Sequence, residues 1–372
     1  MENIGVIFGG KSVEHDISII TALQVMDALP KEYNLIPLYI RSDGVMVTAE
    51  NLTDAQVYLD YAKNVKREME VSFITGQQEI YLKAKSKIKK KIKLDVAILC
   101  NHGHGGEDGS LQGLLELCSI PYTCPAVASS AVCMDKVLTK IVLKENSIQT
   151  PAYVHFSKCQ YEENKEEILK KIDKTLSFPC IVKPARCGSS VGVSICESEQ
   201  MLSGCIESAL IYDDKIIVEK FVENAREFFC AIVKVSDKAL PSGIDEARKE
   251  KFYTFQEKYL DEKKKTEVKL PKSLSQKIKA LAIKTYNVLE CEGVVRVDFL
   301  YSEKDKTLYV NEVNTIPGSL AFNLFEGKFA DLLKVLIIGA KERAQKAKDI
   351  VYKFNSQAIE HFINLGKAQK TK

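Results

Sequence analysis

The chain lacks the marks of several protein classes, and each absence excludes something. None of its eleven cysteines forms a Cys-x-x-Cys pair, and their number is odd. Neither a disulfide framework nor a zinc site is therefore expected. Cys100, Cys180 and Cys230 lie inside apolar runs, as buried thiols of a reducing compartment do. No basic segment followed by an apolar one precedes the first strand, so no signal peptide is expected. The longest apolar stretches, such as Val335–Ala340, fall far short of the ~20 residues that a membrane-spanning helix needs. A formal charge of +3 gives no argument for nucleic acid. No internal repeat is visible, and low complexity is confined to the lysine-rich Lys83–Lys93. That run alternates and leads into an apolar segment, which favours a solvated hairpin over an interaction patch. A cytoplasmic protein with no nucleic-acid or membrane partner is the expectation.

What is present is an ordinary globular composition, 45% hydrophobic and 28% charged, on 372 residues. This length allows two or three domains with substantial cores. Asn3–Phe8, Tyr33–Ile40 and Asp95–Cys100 have the pattern of strands, with helices at Asp16–Leu29 and Leu111–Cys118. Alternating strands and helices predict an open parallel sheet with crossovers. The glycine-rich segments 9–12 and 103–109 follow strands, where ligands of such sheets bind. Residues 50–70 have helical character, and one helix is predicted over Ser129–Glu145. A compact α+β unit follows from Tyr153 to Phe221. Beyond Arg226 come longer strands, then helices at Ser273–Leu289 and Phe329–Lys348, then a partly amphipathic tail. The expected domains are 1–122, 123–222 and 223–372.

The segment 294–314 is the most informative. Val-Val-Arg296-Val-Asp298-Phe-Leu-Tyr and Leu-Tyr-Val-Asn311-Glu312-Val-Asn314 both alternate with period two, around a polar turn. If the turn centres near Asp305, Asp298 faces Glu312 and Arg296 faces Asn314. Facing residues on one side of a ribbon lie within about 5 Å. Two carboxylates at that distance repel each other unless a cation joins them. Oxygen ligands suit Mg²⁺, which commonly completes its shell with nucleotide phosphates. The plain alternative is a surface hairpin with a charged ladder.

Other segments could carry chemistry. Lys183–Gly192 places a lysine, two glycines and two serines between strands, a composition that can approach phosphate, although it is not a Walker A sequence. A hairpin turn is the alternative. Glu219-Lys220-Phe221-Val222 ends a strand and could present backbone to adenine, or could be a solvated interdomain connection. Phe252–Tyr259 could form a lid with Lys258 on a phosphate, or a non-catalytic loop. His102 and His104 could form a metal pair; the interleaved glycines fit better with a tight loop in which one histidine meets substrate. No Ser-His-Asp arrangement stands out, so catalysis by positioning and electrostatics is expected.

These segments, in this order, resemble the D-alanine–D-alanine ligases of the ATP-grasp superfamily. The resemblance runs from Gly5 to about Val335 and rests on Phe8–His15, His102–Gly113, Met134-Asp135-Lys136, Lys183–Gly192, Phe252–Tyr259, Arg296-Val297-Asp298 and Asn311–Gly318. It implies that ATP phosphorylates one D-alanine carboxylate and that the amine of a second D-alanine displaces phosphate. It further implies that Lys136, Lys183, Ser190 and Lys258 meet nucleotide phosphates, with Lys183 also near adenine. Glu219, Lys220, Val222 and Glu227 would frame adenine and ribose. Asp298, Glu312 and Asn314 would hold two Mg²⁺ ions, or Mn²⁺ in their place. Glu14 would pair with the first ammonium, with His102 close by. Ser189 and Tyr259 would hydrogen-bond with Glu14. Arg296 and the Gly318 N–H would stabilise the oxyanion.

The chain departs from the family pattern after Gly318. Asn323, followed by Leu324, stands where the family usually has a serine that binds the second carboxylate, and Glu326 adds negative charge nearby. A different second amino acid, such as D-serine, is thus an alternative, as is a non-catalytic nucleotide-binding relative. Relatives that make an ester typically replace the lid tyrosine, so Tyr259 implies an amine acceptor. A homodimer is expected, with the tail as one guess for a dimer contact.

Overall fold

The computed structural model describes every residue except 86, 248–267, 269, 352–353 and 371–372. Three sheets organise the described residues. The first contains β1 (Glu2–Gly9), β2 (Tyr33–Ile40), β3 (Met46–Thr48), β4 (Met69–Ile74), β5 (Glu79–Ala84), β6 (Lys87–Lys93) and β7 (Val96–Leu99), in the order β6-β5-β4-β3-β2-β1-β7. Only β1 with β2, and β1 with β7, run parallel. The helix His15–Ala28 supplies the crossover from β1 to β2. The remaining joins are antiparallel, so the expected parallel sheet is mixed. The turns between β4, β5 and β6 are too short for crossovers.

The second sheet contains β8 (Tyr153–Ser157), β9 (Cys180–Pro184), β10 (Ser194–Cys196) and β11 (Lys215–Lys220), ordered β10-β9-β11-β8. Helices Lys165–Leu176 and Glu199–Ala209 bury Ile168, Ile172, Leu202 and Ile206 against it. The third contains β12 (Arg226–Val235), β13 (Lys238–Glu246), β14 (Val294–Ser302) and β15 (Thr307–Asn314), ordered β13-β12-β14-β15. Helix Lys272–Val288 covers it with Ile278, Ala282 and Tyr286.

Two further sequence expectations are corrected. Residues 50–70 are not one helix: they hold short helical turns at Ala55–Leu59 and Tyr61–Asn64 and the start of β4. The helix expected over Ser129–Glu145 is two, Val127–Met134 and Lys136–Glu145. Asp135 between them is extended, and its carboxylate accepts from the Val137 and Leu138 N–H groups. Such a cap satisfies donors that otherwise have no partner at a helix start. It also leaves Lys136 at the first helical position, beside the site.

Chain ends distant in sequence share the first core. Leu332, Leu333, Leu336 and Ile337 of helix Phe329–Lys348 pack with β1 and β7 residues, together with Ile316 and Leu320. Each such side chain contributes about 1.5–3 kcal/mol on full burial. The helix Ala358–Lys370 closes the described chain, with Ile359 and Phe362 exposed.

Candidate active site

The β14–β15 ribbon forms one wall. Its register sets Asp298 opposite Glu312 and Arg296 opposite Asn314. Nearer the turn, Ser302 faces Thr307 and Phe299 faces Val310, so a bulge at Asn311 shifts the partners by one residue. Without that extra residue, Asp298 would face Asn311, and the Glu312 side chain would belong to the opposite face. Arg296 donates twice to Asp298, Nε to Oδ1 at 2.7 Å and a terminal nitrogen to Oδ2 at 2.7 Å. The Asn314 amide donates to Asp298 Oδ2 at 3.2 Å. Arg296 also lies over the Phe229 ring, 5.1 Å from its centre. Asp298 is buried.

The loop after β1 supplies the opposing wall. Gly9 and Gly10 have φ of +83° and +114°, which turns the chain sharply at the strand end. Glu14 is buried, and its carboxylate accepts from the Ser189 hydroxyl. Ser189 and Ser190 both have left-handed backbone, at φ +51° and +59°. A Cβ on Gly188 would meet Glu14 Oε2 at 2.6 Å, so only glycine lets this loop come so close. Lys136 Nζ donates to the Cys187 carbonyl at 2.6 Å and stands 4.0 Å from Glu312. One cavity is lined by Glu14, Glu107, Lys136, Gly188, Glu312 and Asn314. The first sheet, the serine loop and the ribbon thus meet there.

A buried ion group lies behind it. Glu219 Oε2 pairs with Lys183 at 2.9 Å, and Lys140 lies 3.1 Å from Oε1. Oε1 receives no aligned hydrogen bond. The two lysines hold the Glu219 carboxyl below the usual range, although burial opposes them. Burial pushes the Lys140 ammonium down despite Glu219.

The N-terminal wall also grips the turn after β15. His102 is buried, and its ring meets Thr21 Oγ1 at 3.0 Å. Burial lowers its pKa to about 4. Glu107 accepts from Gly103 N–H at 2.9 Å, Ile316 N–H at 3.0 Å and the Thr315 hydroxyl at 3.2 Å. Burial and the Glu14 charge push the Glu107 carboxyl up, while these donors pull it down.

Not every candidate converges. Lys220 and Val222 line a separate cleft beside β8 and the β14–β15 turn. His104 is exposed and pairs with Asp108 at 3.0 Å, so it does not share the His102 environment. Asn323 is exposed and Leu324 partly so. Lys258 and Tyr259 lie outside the described residues. Sequence reasoning gave no role to Thr21, Glu107 or Lys140. Lys140 follows Lys136 by one helical turn, a spacing that could have flagged it. Glu107 sits inside the His102–Gly109 segment. Thr21 gave no signal, because it is one small residue on a helix facing the core.

Residues 3–125 match the family described as "D-ala D-ala ligase N-terminus", and residues 142–331 match "D-ala D-ala ligase C-terminus". The chain is 39% identical to the D-alanine–D-alanine ligase of Thermosipho africanus, over 97% of this chain and 99% of that one. It is 38% identical to the enzyme of the same name from Thermosipho melanesiensis, over 94% and 96%. Its fold is similar to the solved D-alanine–D-alanine ligase of Coxiella burnetii, with a TM-score of 0.79 at 26% identity, over 100% and 99% of the two chains. It is also similar to the VanG D-Ala:D-Ser ligase of Enterococcus faecalis, with a TM-score of 0.77 at 29% identity, over 91% and 99%. With this site between these three sheets, the chain belongs to the D-alanine–D-alanine ligase family.

Proposed function

We propose that the protein joins two D-alanines at the expense of ATP and so supplies a dipeptide for peptidoglycan synthesis. The observation that carries this reading is the shared cavity of Glu14, Lys136, Glu312 and Asn314. An ammonium-binding carboxylate, a phosphate-binding cation and metal-binding oxygens line one small space there.

The donor set fits Mg²⁺: two carboxylates and an amide on one ribbon face are oxygen ligands of suitable charge. Asp298, Glu312 and Asn314 would hold two ions, which neutralise charge on the transferring phosphoryl group. Glu219, at the end of β11 between Lys140 and Lys183, would meet the exocyclic amine of adenine in this reading. Glu227 and the strand end at Lys220–Val222 complete the nucleotide frame in this reading. Lys136, Lys183, Ser190 and Lys258 would meet its phosphates in this reading.

Glu14, oriented by Ser189, holds the first ammonium, and Tyr259 joins that set. A carboxylate oxygen of this substrate attacks the γ-phosphorus, and the bond to ADP breaks. The second amine then attacks the acyl carbon, loses a proton, and phosphate leaves. Arg296 and the Gly318 N–H meet the oxyanion; one such donor is worth about 3–4 kcal/mol of barrier. We assign the three units to 1–122, 123–222 and 223–372, and the active form to a homodimer.

The second reading keeps the chemistry and changes the acceptor to D-serine. Asn323 in the acceptor turn supports it, as does the likeness to a D-Ala:D-Ser ligase. A phosphate-release assay with ATP, Mg²⁺ and D- or L-amino acids, singly and in pairs, separates them. Release with D-alanine alone is expected. No release with D-alanine in any pairing discards both readings, and release only with D-alanine plus D-serine favours the second.

A further inference from the structure

We propose that Thr21 and Glu107 are positioning residues: together they hold the turn that carries the Gly318 N–H in a left-handed form that the turn would not keep alone. The catalytic half of this inference rests on the ligase reading above.

The turn is strained by its own sequence. Ser319, Leu320 and Ala321 follow Gly318 with φ of +52°, +50° and +51°. None is glycine, and left-handed backbone costs an L-residue roughly 1–2 kcal/mol. Three in succession persist only if the surroundings impose them. The surroundings here come from the N-terminal unit. Thr21 Oγ1 accepts from the Ser319 N–H at 3.1 Å, one peptide beyond Gly318. Its own hydrogen is then left for the His102 ring at 3.0 Å. Glu107 holds the near side, through the Thr315 hydroxyl and the Ile316 N–H. Ile316 and Leu320 are anchored in the first core. Backbone groups on both sides of Gly318 are thus fixed by side chains about 200 to 300 residues away.

Each acceptor has a distinct chemistry, so each can be removed cleanly. Glu107 uses both oxygens to accept, Oε2 toward the first unit and Oε1 toward the turn. In Glu107→Gln one oxygen becomes an N–H₂ facing an N–H donor. A backbone displacement of about 1 Å at a reacting group can cost 10²-fold. Glu107→Gln should lower kcat by about 10²-fold and Thr21→Val by about 10-fold. The ATP KM should stay within about twofold in both, because neither residue touches Lys136, Lys183 or Glu219. Thr21→Ser keeps the hydroxyl and should restore kcat. A purely structural role would move melting temperature and ATP KM together with kcat.

Hydrogen exchange at the Ser319 amide reads the clamp without turnover. Exchange should accelerate at least about tenfold in Thr21→Val and not in Thr21→Ser. Unchanged exchange in Thr21→Val overturns the clamp, as does kcat within twofold of the wild type in both Thr21→Val and Glu107→Gln. A wild-type protein that releases no phosphate with D-alanine sinks the ligase reading and the catalytic half of this inference, while the exchange result still decides whether the clamp exists.

Discussion

Two walls of the site are built in opposite ways. The β14–β15 ribbon brings Asp298 to Glu312 within one hairpin. The Thr315–Ala321 turn is shaped by Thr21, His102 and Glu107 from another unit. A ribbon specified by alternation should tolerate isosteric change in its functional side chains without unfolding. A turn specified by distant contacts should lose geometry when any contact goes. Local order gives the first wall robustness, and long-range order gives the second its precision.

The largest expected effect tests the ribbon. Glu312→Gln should lower kcat at least about 10³-fold, because it removes a charge where the proposed reading seats a cation. Its stability should stay within about 1 kcal/mol, as for most partly exposed substitutions. Steady-state kinetics beside denaturant melts measure both. Activity within tenfold of the wild type would falsify the metal role.

Next comes the close approach of the serine loop to Glu14. Gly188→Ala adds a Cβ that would meet Glu14 Oε2 at 2.6 Å and Oε1 at 2.9 Å. The carboxylate or the loop must shift. The D-alanine KM should rise on the order of 10²-fold, while ATP affinity changes little. An unaltered KM would place the ammonium elsewhere.

A smaller effect belongs to His102 and appears in stability. Its pKa falls from an unfolded value of 6.5 to about 4 in the fold. As pH drops below 6.5 the unfolded chain takes up a proton and the folded one does not. The contribution is therefore present above 6.5 and is lost as pH falls toward 4, by roughly 3 kcal/mol at most. Denaturant midpoints between pH 7 and 4 should show this slope, and His102→Gln should flatten it. Equal slopes in the two proteins would contradict the buried neutral ring.

The smallest effect concerns the tail. Val351, Phe354, Ile359 and Phe362 are exposed, so removal of residues 351–372 should leave kcat within about twofold. Size-exclusion chromatography with light scattering reports whether the same deletion changes the oligomer. A shift toward monomer would make the tail the dimer contact.

Particular residues show how much was legible. The pairing of Asp298 with Glu312 is the one expected from the sequence, but regular alternation alone does not produce it. A turn centred on Asp305 gives the pairing directly, whereas the ribbon reaches it through a four-residue turn and a bulge at Asn311. The position of a bulge depends on both strands and their neighbours, which one strand's pattern does not contain. The break at Asp135 could have been found from its capping side chain beside a lysine. Thr21 could not, because its partner lies 298 positions away.

The succession of the main strands and helices along the chain, the two arms of the ribbon, the serine-rich segment and the family were legible in sequence alone, because each is written in residues near one another along the chain. The mixed first sheet, the joining of helix Phe329–Lys348 to the N-terminal core, and the grip on the Gly318 turn were decided only by tertiary structure. Local periodicity records which face a residue takes. It does not record which distant surface will meet that face, since the meeting is selected by packing and hydrogen-bond satisfaction over the whole fold.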